Sequence, residues 1–353
     1  MSMKINQDQI VPSRWQRIIF DYRRGKGHLI SYLLNRIRWY LYPRIRYAGK
    51  LPDHVDIEVS SLCNMQCPMC YTMTDEFRQN VKQQFMDINL FKKIIDQCAE
   101  NHVYSIRLSL RGESFIHPNI VEMIRYAKNR GIKEVSSLTN NLALNPEKFQ
   151  EILDAGLDWL TISFDGVGET YEKIRRPAKF EDSYNKIKAY KKIKTEKKSV
   201  KPVIRIQSVW PAIKEDPNNF FHLFDPYSDE VVSNPLIDYL HKDTEIEYDP
   251  EFECPNLYQR MAIGSDGIVL LCSNDAMCYY PIGDANTQRL EEIWHGAKIT
   301  EARAIHRNHR GVENYISCQQ CYLPRKTTPV IQKIGDKKIV IDKYVGRTDK
   351  IGE

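Results

Sequence analysis

Cys63, Cys67 and Cys70 stand in the spacing C-x3-C-x2-C, directly after the alternating stretch Val55-Asp56-Ile57-Glu58-Val59. Three soft thiolates on one short loop cannot complete a four-sulfur tetrahedral site. They can hold three irons of a cubane and leave the fourth open to a further ligand. An iron of that kind binds a molecule and passes it one electron; a zinc knuckle or a set of redox thiols is the plainer alternative. A second group, Cys254, Cys272, Cys318 and Cys321, is spaced C-x12-G-x4-C and then C-x2-C. Its four sulfurs are enough for a closed cluster or a zinc ion.

Elements that could carry these loops alternate along the chain. Strand candidates are Val55–Ser60, Ser105–Leu110, Lys133–Leu138, Trp159–Phe164, Val203–Val209 and Glu230–Val232. Helix candidates between them are Phe91–Glu100, Pro118–Asn129, Pro146–Ala155 and Glu181–Lys197. Five or six such β–α repeats argue for an α/β fold with a parallel sheet, open or partly curled into a barrel. Nine lysines between residues 179 and 201 read as the solvated outer face of the last helix, with an anionic partner as the alternative. Cys98, on the Phe91–Glu100 helix, reads as core. Beyond residue 235, Gly264, Gly267, Gly283, Gly296 and Gly311 punctuate short segments, so 252–325 reads as a small unit that metal helps to stabilise. The tail KIGDKKIVIDKY suggests a hairpin around Gly335-Asp336.

The 353-residue chain is 42% hydrophobic and 27% charged, which permits a sizeable core and argues against global disorder. Nine cysteines without a secretory pattern at MSMKINQDQI point to metal chemistry in a reducing compartment, hence a cytoplasmic location. No run approaches the ~18 apolar residues of a membrane span. The net charge of +5 is uneven: residues 1–50 carry eleven Lys/Arg against two Asp/Glu, and aromatic residues interleave with the arginines. This basic helical extension is expected to cap the main domain, its arginines snorkelling outward. Contact with a membrane surface is the second reading, and nucleic acid the third, without a recognition module behind it.

The segment SSLCNMQCPMC resembles the cluster motif of radical S-adenosylmethionine (radical SAM) enzymes, and the resemblance extends over residues 54–235. It implies a partial (β/α)6 TIM-like barrel with a [4Fe–4S] cluster on Cys63, Cys67 and Cys70. SAM would chelate the open iron, and its reductive cleavage would give a 5′-deoxyadenosyl radical that abstracts hydrogen. Arg111-Gly112-Glu113-Ser114 resembles the family's Gly-Gly-Glu-Pro motif, which implies that Glu113 meets the SAM amino group; Arg111 and Ser114 are departures from it. Thr139-Asn140-Asn141 resembles a Thr-Asn-Gly turn and puts Asn140 near the cofactor. Ser163-Phe164-Asp165-Gly166 resembles a Ser-Leu-Asp-Gly element and gives Ser163 a polar contact. Tyr171-Glu172-Lys173-Ile174-Arg175 resembles the segment whose arginine meets the SAM carboxylate, favouring Arg175 over Arg176. Ordinary turn or surface contacts are the alternative for Asn140, Ser163 and Arg175. Gln207 is a ribose or adenine contact or a plain sheet residue. Met69 stands where the family usually places an aromatic residue, with Tyr71 beyond Cys70.

The second cysteine group resembles the twitch domain, the shortened relative of the SPASM domain. The resemblance implies one auxiliary cluster, [4Fe–4S] by preference, on Cys254, Cys272, Cys318 and Cys321, serving as electron relay or acceptor. Cys278 is then a hydrogen-atom donor or an incidental thiol. Asp275 either deprotonates a radical intermediate or closes its turn with Asn274. Domains are expected at 1–50 (extension), 51–240 (core), 241–330 (auxiliary domain) and 331–353 (tail). The expected activity is that of a radical SAM oxidoreductase, a dehydrogenase or epimerase. Its substrate would be a small hydroxylated or aminated molecule such as an amino sugar, and its electron donor a flavodoxin or ferredoxin. The alternative is a peptide-modifying maturase, which the lack of an evident leader-peptide-binding domain weakens.

Overall fold

The computed structural model describes residues 14–334 except 239, 241, 242 and 244, then 337–346 and 351. Six strands follow one another in the core: β1 His54–Ile57, β2 Ser105–Arg107, β3 Glu134–Thr139, β4 Trp159–Ser163, β5 Val203–Val209 and β6 Glu230–Asn234. They pair in sequence order and all in parallel, as β–α repeats require when each helix returns the chain to the same edge. Val, Ile and Leu of these strands are buried in the core, while Arg107, Ser136, Thr161 and Arg205 line the lumen.

The helices begin where the chain supplies caps. Asp87 accepts from Asn89 N (2.8 Å) and Leu90 N (3.1 Å) to start Ile88–Glu100, which buries Phe91, Ile94, Ile95 and Cys98 along one face. Asn145 caps Pro146–Asp154 through Lys148 N, with Pro146 in the first turn, where its missing N–H costs nothing. The Lys-rich helix Phe180–Glu196 departs from a wholly solvated face. Lys194 falls in line with buried Ser183, Ile187 and Tyr190 and donates to Asp229 Oδ2 (2.8 Å) and Pro202 O (2.7 Å). Lys186 reaches the carbonyls of Asn141 and Leu142.

The sheet does not close. β7 Arg260–Ile263 pairs in parallel with β1 on the side away from β2, followed by antiparallel β8 Ile268–Leu270 and β9 Pro281–Asp284. The order β6-β5-β4-β3-β2-β1-β7-β8-β9 makes a partial barrel whose sheet runs on into the C-terminal cysteine region. In the tail, β10 Thr327–Ile334 pairs antiparallel with β11 Lys337–Tyr344, while the expected turn at Gly335-Asp336 lies outside the described residues.

Residues 1–13 of the basic extension also lie outside the described residues. The rest forms two helices, α1 Arg14–Gly25 and α2 Leu29–Arg44, against the N-terminal ends of the strands. Arg24 forks onto Glu134 at the start of β3 (3.0 and 2.8 Å), and its guanidinium lies 4.2 Å from the Trp159 ring of β4. Arg23 meets Asp229 (2.6 Å), and Gln259 donates to Trp39 O (2.7 Å). These contacts make the pair a cap, with several arginines turned inward rather than out. Its outer face leaves Trp15, Ile18, Tyr22, Ile30, Leu33 and Ile37 exposed. Among the described residues no helix is long and apolar enough to cross a membrane.

Candidate active site and auxiliary sulfur centre

The loop bearing Cys63, Cys67 and Cys70 leaves the C-terminal end of β1 and is pinned by its neighbours. Glu113 N donates to Leu62 O and Gln66 N to Arg176 O, each at 2.8 Å, and Cys70 N closes onto Cys67 O at 3.0 Å. Gly112 permits this approach, because a Cβ there would collide with the carbonyl oxygens of Leu62 and Ser60.

Glu113 is buried and accepts three hydrogen bonds, from Asn140 N (2.7 Å), Thr139 Oγ1 (2.8 Å) and Phe115 N (3.1 Å). Burial nevertheless pushes its carboxyl above the usual carboxylate range, and the three donors only partly offset that. An ammonium arriving beside it would stabilise the charged form. Asn140 Nδ2 donates to Asn64 Oδ1 at 2.8 Å and lies 3.7 Å from Cys63 Sγ. Arg175 is held by Asp165, Nε–Oδ2 2.7 Å and NH2–Oδ2 2.5 Å, and its NH1 stands 3.9 Å from Cys67 Sγ. Burial opposes the Arg175 charge, but Asp165 and Cys67 keep it firmly protonated. Arg176 turns away and donates to Lys173 O. The Cys67 thiol is pushed up to about 11 by burial, against the pull of Arg175.

Glu113, Asn140 and Arg175 therefore converge on the cysteine loop. Ser163 and Gln207 are in register with each other on β4 and β5, and among the described residues neither side chain hydrogen-bonds to that loop. Gln207 instead faces the lumen between the strands. Asp165 and Asn64, which anchor Arg175 and Asn140, carried no separate signal beyond the Ser-Phe-Asp-Gly element that contains the first.

In the C-terminal region, burial pushes up the thiols of Cys254, Cys272, Cys318 and Cys321, the first to about 12 and the last to about 11. Charges of their partners raise Cys254, Cys272 and Cys318 further. Ionising these four thiols together would set like charges side by side, so thiolates here call for a cation, and soft sulfur suits iron or zinc. Asn274 Nδ2 and Leu323 N point at Cys321 Sγ (3.2 and 3.4 Å). His306 Nε2 lies 3.4 Å from Cys318 Sγ, a neighbour that no motif announced. Among the described residues no three His, Cys, Asp or Glu side chains converge on a single-ion site. Ligands of a multi-iron cluster each bind a different iron and need not converge.

Asp275 is fully buried with both carboxylate oxygens taken, by Tyr279 N and Tyr280 N at 3.0 Å each and by Ser317 Oγ at 2.6 Å. It ties the loop after Cys272 to the turn bearing Cys318. Cys278 is half-buried, and its N–H closes the turn onto Asp275 O at 3.0 Å. The charges that act on it are those of Asp275, Arg111, Asp266 and Glu58, and burial pushes its thiol up to about 11.

The two regions match two families of known proteins. Residues 57–206 match the radical SAM superfamily, and residues 254–322 match an iron–sulfur cluster-binding domain, SPASM. Among curated relatives, a GTP 3′,8-cyclase of Chlorobaculum tepidum is 33% identical over 38% of this chain and 39% of its own length. A tungsten-containing aldehyde ferredoxin oxidoreductase cofactor-modifying protein of Pyrococcus furiosus is 23% identical over 76% and 86%. A PqqA peptide cyclase of Bradyrhizobium diazoefficiens is 29% identical over 34% and 30%. The chain thus spans less than half the length of the first and third of these relatives. Among solved structures, BtrN in complex with AdoMet and 2-DOIA superposes with a TM-score of 0.54 at 17% identity, over 78% of this chain and 94% of that one. Streptococcus suis SuiB bound to precursor peptide SuiA gives 0.52 at 14%, over 91% and 79%. anSMEcpe with bound AdoMet and the Cp18Cys peptide gives 0.55 at 14%, over 76% and 86%.

A partial barrel with a cysteine loop after its first strand, continued into a second cysteine region, defines a radical SAM enzyme with an auxiliary iron–sulfur domain. This chain belongs to the radical SAM superfamily and carries a C-terminal SPASM-like domain. Two expectations are corrected. The substrate reading of a small hydroxylated or aminated molecule is overturned, and so is a small molecule as the partner. The SuiB and anSMEcpe structures hold peptides, and a peptide cyclase stands among the relatives. The substrate was the least legible feature because no motif encodes the loops that shape a pocket.

Proposed function

We infer that this protein is a peptide-modifying radical SAM enzyme with one auxiliary cluster of the shortened, twitch type. Cys63, Cys67 and Cys70 would hold a [4Fe–4S] cluster, and Cys254, Cys272, Cys318 and Cys321 a second, fully ligated one, [4Fe–4S] by preference. With SAM bound, the first cluster supplies one-electron cleavage of the sulfonium and a radical able to take hydrogen from unactivated carbon. Glu113 would accept from the SAM ammonium, Arg175 would meet the SAM carboxylate from its Asp165 anchor, and Asn140 would fix the loop edge beside Cys63. Ser163 and Gln207 line the way toward the ribose and adenine. Cys278 would return a hydrogen atom to a substrate radical, and Asp275 would serve by closing its loop.

The observation that carries the reading is the convergence of Glu113, Asn140 and Arg175 on one cysteine loop, in a fold shared with two peptide-bound enzymes. The test is anaerobic reconstitution with iron, sulfide, SAM and dithionite, followed by incubation with a peptide library and mass spectrometry. A peptide two mass units lighter would mark crosslinking or oxidation, and unchanged mass with one solvent deuterium would mark epimerisation. Modification of small polyols or amino sugars with no peptide altered would overturn the peptide reading.

A further inference from the structure

The lower half of the barrel lumen is open. A cavity of about 420 Å3 runs from Leu138 and Gln207, near the C-terminal ends of β3 and β5, down to α1 and α2, within the size range of small-molecule sites. Six guanidiniums face it: Arg17, Arg24, Arg36, Arg107, Arg205 and Arg260. Glu134 pairs with Arg24, Glu230 with Arg205 and Arg17, and Asp56 with Arg107 and Arg260. Asp21 reaches Arg17 from the surface at 3.9 Å. The described carboxylates are unevenly shared among these guanidiniums.

Arg36 shows the imbalance most clearly. Among the described residues it has no ion pair; Nε and NH2 both go to Asn35 Oδ1 (3.2 and 2.6 Å), and the guanidinium lies 5.2 Å from the Trp39 ring. Burial first, and then the Arg24 charge, pull its pKa down, and the Glu134 charge offsets this only in part. Arg260 Nε is buried with no hydrogen-bond partner, and its NH1 reaches Asp56 Oδ2 only at 3.5 Å. Water could fill these bonds but would not neutralise the charge. A multiply charged oxyanion does both, and the planar fork of arginine matches phosphate oxygens.

We propose that this lower lumen binds a phosphate-bearing molecule, held chiefly by Arg36, Arg107 and Arg260. Its arginine-lined end is separate from the cysteine loop. The first residues of β1–β4 (His54, Ser105, Glu134, Trp159) line it, whereas the cysteine loop, Glu113, Asn140 and Arg175 lie beyond the opposite ends of those strands. Tyr40 is exposed and Arg17 half-exposed among its lining residues, so entry is from the side of the N-terminal helices. Two sources supply this chemistry, a soluble phosphate compound or the headgroup of a phospholipid lying against the exposed apolar face of α1 and α2.

The test uses the full chain, reconstituted anaerobically. In one arm sodium pyrophosphate is titrated calorimetrically at constant ionic strength. In the other, flotation is measured with phosphatidylcholine vesicles with and without phosphatidic acid. Saturable binding in either arm, weakened at least about tenfold in both Arg36→Gln and Arg260→Gln, is the expected result. Pyrophosphate binding identifies the soluble source, and flotation that needs phosphatidic acid identifies the headgroup. Arg36→Gln breaks no ion pair, so its unfolding midpoint without ligand should match the wild type and certify a folded protein. No binding in either arm up to about 10 mM pyrophosphate, or binding equal in wild type and variants, would overturn the proposal.

Discussion

Arg111 forks onto Glu58, Nε to Oε1 at 2.5 Å and NH2 to Oε2 at 2.6 Å, and spends its remaining nitrogen on Ala276 O at 3.1 Å. Both side chains are buried, and Glu58 also accepts from Ser265 N (3.0 Å). A residue that departs from the family's glycine therefore ties the segment after β1 to the loop between Cys272 and Cys278. Removing one partner strands a buried charge, so Arg111→Gln should cost about 3–5 kcal/mol in denaturant unfolding. Replacing both, as Arg111→Met with Glu58→Met, should cost clearly less. Equal losses for the single and double variants would contradict the pairing.

Gly112 makes a second prediction. Alanine there has no room beneath the carbonyls of Leu62 and Ser60, both backbone atoms, so the cysteine loop must move. Gly112→Ala should incorporate iron poorly at the first cluster while the auxiliary cluster loads normally. Iron and sulfide counts, with visible absorption, would read the difference.

The second cysteine group should be separable from the first. Cys318→Ala should lower iron from about eight to about four per chain and still allow SAM cleavage, whereas Cys63→Ala should abolish cleavage. Asp275→Asn keeps one acceptor oxygen where the carboxylate used two, and should destabilise the fold by about 1–3 kcal/mol. Its 5′-deoxyadenosine yield per correctly loaded chain should be unchanged. A large fall in that yield at full iron content would assign Asp275 a chemical role.

Acid should loosen the N-terminal cap. Burial opposes the Glu134 charge, but Arg24 holds its carboxyl at about 2 rather than the ordinary 4.5. Between those values the unfolded chain binds more protons than the folded one, so stability rises with pH. The contribution is complete above about pH 4.5 and is lost as pH falls through about 2. It amounts to something on the order of 3 kcal/mol. Urea unfolding from pH 5 down to 3 should show a shallower loss for Glu134→Gln than for the wild type; parallel curves would contradict the assignment.

Much of this architecture was readable because it is local. The six core strands fall within three residues of the alternating or β-branched runs that announce them, and Asp87 and Asn145 cap the helices that follow. What could not be read depends on register between distant strands. Arg111 finds Glu58 across fifty-three positions, and Arg24 finds Glu134 across more than a hundred, only once β1, β2 and β3 lie side by side. The same holds for His306 beside Cys318, which needs Gly311 to admit the ring. Lys194 misled by composition, since a lysine in a basic run is indistinguishable from one that spans the core edge to Asp229. Of the side chains that meet at the cysteine loop, Asn140 directly follows β3, whereas Arg175 stands after the short helix Glu169–Ile174 and was singled out by motif resemblance alone.

The most direct test is electron–nuclear double resonance on the dithionite-reduced protein carrying only the Cys63–Cys67–Cys70 cluster, obtained with Cys318→Ala, after adding SAM labelled with 15N at the amine and 17O at the carboxylate. Hyperfine coupling from both labels is expected, weakened for nitrogen by Glu113→Gln and for oxygen by Arg175→Gln. A cluster signal unaltered by SAM, with no coupling to either nucleus, would contradict an open iron on this loop.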